Sequence, residues 1–424
     1  MQIVLVLLAI FVVLLMLRVP VAVSMGLASL IGFLMIGYNL TTVGSTLYTA
    51  VASTSMITIP GYILAGSIMA NGGISKYLLE ALRAWIGHIP GGIAIATVLA
   101  CALFAAITGS SSATIAAVGG LMIPAMVESN YRHSFSMGLV ASAGSLGILI
   151  PPSIPMILYT TIASVSVSKL FAAGMLPGFI VVIFYSVFIV IYSIIYKQKA
   201  GTVDKTDRLK KTIRAIPALL LPVAILGSIY SGIMTATEAS AFACVYALLV
   251  STFVYREYSW KKFSEAVMDA AKSTATIMWI VTACSMFSMF LTATRVPHQI
   301  LELVSASHLS PLALVMICNL ILLFLGCFMD GVSIMLIAAP LMVPIVSGLG
   351  YDLIQFGIVM TIGIQVGQLT PPVGMNLFMV SGMEKAPVSE VIKGSIPFLL
   401  MLIGVWMMVT IFPGITSVAT QLFA

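Results

Sequence analysis

The chain has 424 residues, 61% of them hydrophobic and only 8% charged, with a mean hydropathy of +1.17. Soluble domains carry roughly 25% charged residues, so this composition excludes a water-soluble fold and leaves a polytopic membrane protein in contact with lipid. The formal charge of +6 does not point to nucleic acid, because seven of the nineteen basic residues crowd between Lys197 and Arg214, which is a topology signal.

The opening segment, Met1 to Leu17, is continuously apolar, without a basic leader or a small-residue cleavage site, and so reads as a first transmembrane helix. Apolar runs continue almost end to end, predicting ten or more helical crossings of a hydrocarbon layer about 30 Å thick. Unbroken runs such as Ile180 to Tyr196 exclude the alternating pattern of a membrane barrel. Ile74 to Ile86, with Lys76, Glu80 and Arg83 at helical spacing, predicts an amphipathic helix along the interface. His88 follows as an interfacial anchor.

Next comes an apolar segment, 90–107, a small polar tip, Thr108-Gly109-Ser110-Ser111-Ser112, and a second apolar arm that stops near Pro124. Arms near or a little below spanning length suit a hairpin that dips into the membrane and returns. The following helix runs into Gly144, Gly147 and Pro151-Pro152. Two prolines remove two amide donors and disfavour helix before them, so the helix breaks there.

The basic loop, 197–214, is cytoplasmic by the positive-inside rule, as is the cluster Arg256, Lys261 and Lys262. Two helices, about 215–233 and 238–255, form an out-and-back pair between them. Thr235 and Glu238 have capping-box spacing, a structural role for Glu238. The apolar run 275–293 ends just before Arg295, which either meets an anionic substrate or snorkels to headgroups. His133 and His298 read as plain loop residues.

The hairpin and the break then recur. A second apolar segment, 310–328, ends in the tip Met329-Asp330-Gly331-Val332-Ser333, and its return arm stops near Pro344. A helix follows that breaks at Gly367, Thr370 and Pro371-Pro372, with Gly374 and Asn376 just beyond. An offset of 220 residues superposes Gly147, Pro151 and Pro152 on Gly367, Pro371 and Pro372, Pro124 on Pro344, and Gly174 and Pro177 on Gly394 and Pro397. It also pairs His88 and Tyr131 with His308 and Tyr351. Matching breakers report geometry, whereas matching leucines report little. The chain therefore divides into scaffold helices, 1–87, a first repeat, 88–177, further scaffold, 178–307, a second repeat, 308–397, and a last helix, 398–424. Inverted repeats are common in secondary transporters.

Hairpin tips and broken helices at membrane depth leave backbone groups that lipid cannot satisfy. The candidates to meet them are a coupling cation on freed carbonyls and an anionic substrate at helix N-termini. The five cysteines, in apolar surroundings without a CxxC pair, support neither a metal cluster nor a disulfide framework.

Four stretches resemble the large membrane subunit of tripartite ATP-independent periplasmic (TRAP) transporters, the DctM-like family. They are Gly109 to Thr114 with Ile123-Pro124, Gly147 to Ile154, Gly232 to Ala239, and Gly367 to Gly374. Ala236 departs from the family pattern, which usually has proline there. The resemblance implies an all-α, inverted-repeat, elevator-type transporter of the bacterial inner membrane, with two re-entrant hairpins and two broken helices. It implies import of a small carboxylate, such as a C4-dicarboxylate, sialic acid or another sugar acid, with sodium as coupling ion and no further cofactor. It also implies a periplasmic substrate-binding protein and a small four-helix membrane subunit, expected here as a separate chain.

On these grounds the substrate candidates are Ser110, Ser111, Ser112, Arg295, Asp330 and Asn376. The sodium candidates are Gly109, Ser110, Gly144, Gly147, Pro151, Asp330, Gly367, Thr370 and Gly374. Pro152, Pro371, Pro372 and Glu238 are assigned structural roles. Asp330 stands out, because an acid inside an apolar segment costs about 2.5–3.5 kcal/mol to insert unless paired or solvated. Its competing reading is a turn residue ahead of Gly331. A membrane enzyme is disfavoured by the absence of GxSxG, GxGD and HExxH patterns, and no Walker A sequence is present to hydrolyse ATP. The closer rival is a stand-alone sodium/dicarboxylate symporter that needs no binding protein.

Overall fold

The computed structural model describes residues 2–17, 19–198, 205–296, 299, 302 and 310–423. His298, His308 and the centre of the basic loop lie outside the described residues.

The described chain is helical throughout. Helices α1 (Gln2–Met16), α2 (Val21–Met35), α3 (Leu40–Val51) and α4 (Thr54–Asn71) lead to the amphipathic α5 (Ile74–Ile86). The first repeat contains α6 (Gly92–Thr108), α7 (Ser111–Glu128), α8 (His133–Gly144), α9 (Ile154–Ala163) and α10 (Val167–Ile195). Then come α11 (Lys205–Tyr230), α12 (Ala236–Leu249), which continues as one π turn to Val254, and α13 (Trp260–Ala293). The second repeat contains α14 (Pro311–Gly326), α15 (Gly331–Gly348), α16 (Leu353–Gln368), α17 (Met375–Glu384) and α18 (Val388–Ile411), followed by α19 (Gly414–Phe423).

Seven described helices are long and apolar enough to cross a membrane, or eight if the bent pair α3 and α4 forms one span. This is fewer than the ten or more crossings expected from hydropathy. Several apolar runs end early at a tip or a break, so α2, α6, α9, α14 and α16 are all shorter than a full span. The return arms also differ from expectation. They do not stop at Pro124 and Pro344 but pass through them to Glu128 and Gly348. The outer limits drawn at 177 and 397 likewise fall inside α10 and α18, which continue through Pro177 and Pro397.

The 220-residue offset holds in three dimensions. Helix starts at Ser111 and Gly331, and at His133 and Leu353, are in register, and both Pro-Pro bonds are cis. Tyr131 bonds Ser193 Oγ at 3.0 Å near the end of α10, and Tyr351 donates to the Thr410 carbonyl at 2.9 Å near the end of α18. The two repeats interlock. Gly138 of α8 crosses Gly394 of α18 so closely that a Cβ on either would collide with the other helix's backbone. Gly357 of α16 lies against Tyr159 and Leu170 of the first repeat, and His133 is no plain loop residue, since its Nε2 pairs with Glu384 Oε2 across the repeats at 3.0 Å.

Around this unit stand α1 to α4 and α11 to α13. Thr58 of α4 meets Thr237 of α12 at 2.7 Å, and Cys244 donates to the Gly61 carbonyl at 3.0 Å. The α5 helix is tied to the same framework at both ends. Tyr77 donates to Glu257 Oε1 at 2.9 Å, Lys76 pairs with that carboxylate at 3.7 Å, and Trp85 Nε1 donates to Thr212 at 2.7 Å. Glu238 caps α12, accepting from Thr235 N at 2.7 Å while Thr235 Oγ1 accepts from Glu238 N at 3.3 Å.

Candidate functional site

Each hairpin tip closes on the break of its own repeat. The Ile154 amide donates to the Gly109 carbonyl at 3.3 Å, and the Gly374 amide, at the equivalent position, donates to the Cys327 carbonyl at 2.9 Å. Gly109 and Gly374 have φ of +62° and +64°, a left-handed conformation that side-chain-bearing residues rarely adopt. Glycine is also required by proximity. A Cβ on Gly147 would collide with the Ser110 carbonyl, and one on Gly367 would collide with Gly326. At Gly374 a Cβ would lie 3.1 Å from both the Gln368 and Thr370 carbonyl oxygens, and at Gly109 2.7 Å from the Pro152 carbonyl oxygen. The breaks thus bring carbonyl oxygens together around positions where only hydrogen fits.

Both closures face one cavity of about 1130 Å³. The first residues of four helices line it: Ser111 and Ser112 of α7, Ile154 and Pro155 of α9, Gly331 and Val332 of α15, and Met375 and Asn376 of α17. Four helix N-termini therefore point their positive dipole ends toward one space. Two of the four are already capped. Ser153 Oγ accepts from Met156 N at 3.4 Å. Asp330 Oδ1 accepts from Val332 N at 3.0 Å and Ser333 N at 3.1 Å, while Ser333 Oγ donates to Oδ2. The α7 and α17 N-termini have no side-chain cap, so their amides remain available to a ligand.

Two buried side-chain amides at the cavity each have one atom without a partner. Gln368 is 5% exposed and Asn376 2% exposed, and neither Gln368 Oε1 nor Asn376 Nδ2 finds a hydrogen-bond partner among the described residues. Buried polar groups are paired in the great majority of cases, so these two atoms are candidates to meet a polar ligand. Among the described lining residues the only charged ones are Asp269 and Asp330.

The family model for the DctM component of tripartite ATP-independent periplasmic transporters matches residues 8–415. The chain belongs to that family. It is 40% identical to the C4-dicarboxylate TRAP transporter large permease protein DctM of Pseudomonas aeruginosa, over 85% of each chain. It is 37% identical to the isethionate TRAP transporter permease protein DctMQ of Oleidesulfovibrio alaskensis, over 96% of this chain and 64% of that longer one. Among solved structures it resembles the Alcanivorax borkumensis YdaH transporter, with a TM-score of 0.67 at 13% identity over 88% of this chain and 89% of that one. That likeness concerns the fold alone. The protein is a TRAP large permease subunit, a multi-pass inner-membrane transporter and not an enzyme.

In this permease Gly109, Ser110, Ser111, Ser112, Asp330 and Asn376 come together on the cavity wall. Gly147, Gly367, Thr370 and Gly374 lie behind it, in the closures just described. Thr370 Oγ1 is turned away to the Val366 carbonyl at 2.7 Å. Gly144 is buried against the Ile115 side chain, and Pro151, Pro152, Pro371 and Pro372 form the bends without lining the cavity. Arg295 is not brought to the cavity. It sits past the far end of α13, exposed and with a φ of +56°, whereas the cavity touches α13 only from Asp269 to Ile280.

Hydropathy alone missed the opposite wall. Ser67 and Asn71 on α4, and Asp269, Ser273 and Thr276 on α13, line it. The available signal was helical spacing, since 67 and 71, and 269, 273 and 276, each fall on one face. Gln368 lay within the broken-helix motif, but nothing in the sequence revealed that its amide would be buried unpaired.

Proposed function

We propose that this cavity binds a small organic anion together with sodium ions, and that the permease imports both by an elevator motion. In that motion the interlocked repeats travel as one body against α1–α4 and α11–α13. The observation that carries the reading is the pair of buried, unpartnered atoms Gln368 Oε1 and Asn376 Nδ2, set among four convergent helix N-termini. The uncapped α7 and α17 amides, with Ser110, Ser111 and Ser112, suit a carboxylate. The carbonyls gathered at Gly374 and Gly109 suit a hard cation, which takes oxygen ligands. Arg295 is left to the headgroup role. The anion class is a small carboxylate such as a C4-dicarboxylate, sialic acid or a related sugar acid; the first of these is what the Pseudomonas relative is named for. The partners are a periplasmic binding protein that delivers the anion and a small four-helix membrane subunit.

The test is uptake into proteoliposomes holding the permease and its small subunit, with the binding protein outside and its ligand named by thermal-shift screening. Uptake should require an inward sodium gradient and the binding protein together. Indifference to sodium would remove the coupling, and uptake without the binding protein would favour the stand-alone symporter. Replacing Ser110, Ser111 and Ser112 together with alanine should raise the sodium concentration needed for half-maximal uptake, and an unchanged titration would return them to plain turn residues.

A further inference from the structure

The cavity is not symmetric between the repeats, and its asymmetry has a direction. On the first hairpin it follows the flank of α7 from Ser111 through Ala113 and Ala116 to Ala117, whereas on the second it touches only the tip, Asp330 to Val332. By the positive-inside rule the base of the first hairpin is on the cytoplasmic side. The Arg132 guanidinium, just past α7, lies 5.3 Å from the Tyr196 ring, where the basic loop begins. The preceding α5 is held by Glu257, which stands between Arg256 and Lys261.

The facing wall runs the same way. It uses the last turns of α4, where Ser67 and Asn71 lie just before Gly73, the glycine packed against Glu257. On α13 it uses the stretch from Asp269 to Ile280, which begins among that helix's charges, Lys261, Lys262, Glu265, Asp269 and Lys272, all of which precede residue 273. The uncharged remainder, 273–293, is about 31 Å long at 1.5 Å per residue, which matches a hydrocarbon core of about 30 Å. Asp269 and Ser273 therefore stand at the cytoplasmic edge of the membrane, and the cavity is continuous from there to the hairpin tips.

We infer that the structure holds the permease open to the cytoplasm, and that Ser67, Asn71, Asp269 and Ser273, facing the outer flank of α7, form the vestibule through which the cargo leaves. The polar stripe keeps this passage wet between apolar helices, while the second hairpin remains closed beneath its tip. What passes through the vestibule rests on the anion reading above, but the direction of opening does not.

The experiment places single reporter cysteines, Ser273→Cys, Ala116→Cys and Leu336→Cys, in the otherwise unaltered permease with its small subunit, in membrane vesicles of either orientation. A membrane-impermeant maleimide is the probe, and labelling of the unmodified chain is the baseline. Ser273 and Ala116 are exposed to the cavity, whereas Leu336, equivalent to Ala116 by the 220-residue offset, is buried at 2% exposure. The cysteines at 273 and 116 should label from the cytoplasmic side and lose that labelling when reagent reaches only the periplasmic side. The cysteine at 336 should stay at baseline from the cytoplasm. Labelling of 273 or 116 from the periplasm, absence of labelling from both sides, or equal cytoplasmic labelling of 336 and 116 would each overturn the inference. No anion or sodium is added, so a failure here leaves the binding reading standing, and a failed uptake assay leaves the vestibule standing.

Discussion

Asn376 and Gln368 are held where an empty site is unfavourable. A buried donor or acceptor without a partner costs about 1–3 kcal/mol, and each of these side chains is almost fully enclosed with one such atom. Asn376→Leu, similar in volume and without polar atoms, should raise the thermal unfolding temperature of the empty permease while abolishing uptake. A loss of both stability and uptake would make Asn376 a packing residue instead. Asp330 poses a different problem, because its carboxylate is already engaged in capping α15. Asp330→Ala removes the cap, worth about 1 kcal/mol, and with it the order of the tip, so uptake should be lost while membrane insertion is unchanged. Asp330→Asn keeps a capping oxygen, so it should transport better than the alanine variant but with an altered sodium requirement. Equal rates for the two variants would assign the role to charge alone. The acid was legible in the sequence as a costly residue at a tip. Its engagement as a cap was not, because that depends on the backbone turn that presents Val332 and Ser333.

Between residues and the whole chain, the element that matters is the contact of a tip with a break. Gly147 admits the Ser110 carbonyl where a methyl group would stand, and Gly367 admits Gly326 in the same way. Overpacking of this kind costs about 1–3 kcal/mol. Gly147→Ala should therefore hold the first tip away from its break, lowering uptake sharply and thermal stability measurably. Gly120→Ala, with open space around it, should change neither, and a Gly147→Ala variant with wild-type uptake would mean that the tip closure does not serve transport. These contacts explain why the repeat was readable at glycine and proline. Breakers constrain the backbone locally, so their spacing survives as sequence. The return arms were read as too short because a proline normally ends a helix, yet here α7 and α15 accommodate Pro124 and Pro344 in mid-helix. The polar wall on α4 and α13 was missed for a related reason. Serine, asparagine and threonine in long apolar helices gain meaning only from the partner helix they face, and no local pattern states which that is.

At the scale of the whole molecule the two repeats and the surrounding helices assemble a cavity whose electrostatics no single segment has. Two acids are the only charges among its described lining residues, and one of them is taken up in capping. An anion entering this space meets helix dipoles but no lysine or arginine from the described wall. Dipole ends carry about half a charge each, and two of the four are already capped. A doubly charged dicarboxylate would therefore be incompletely neutralised by the protein. Cations held on the carbonyls near Gly374 and Gly109 would supply the remainder, and in a cavity of low effective dielectric that attraction is large. Anion affinity should then depend on sodium. In proteoliposome uptake the KM for the anion should fall steeply as sodium rises, with the maximal rate changing less, and a salt of a larger monovalent cation at equal ionic strength should not substitute. A KM independent of sodium would require a basic residue to hold the anion, and Arg295 would be the first to test. Arg295 lies past the far end of α13, exposed, whereas Asp269, ten residues into that helix, is on the cavity wall. The predicted order of events is thus cation before anion, imposed by a site whose described wall carries no positive side chain.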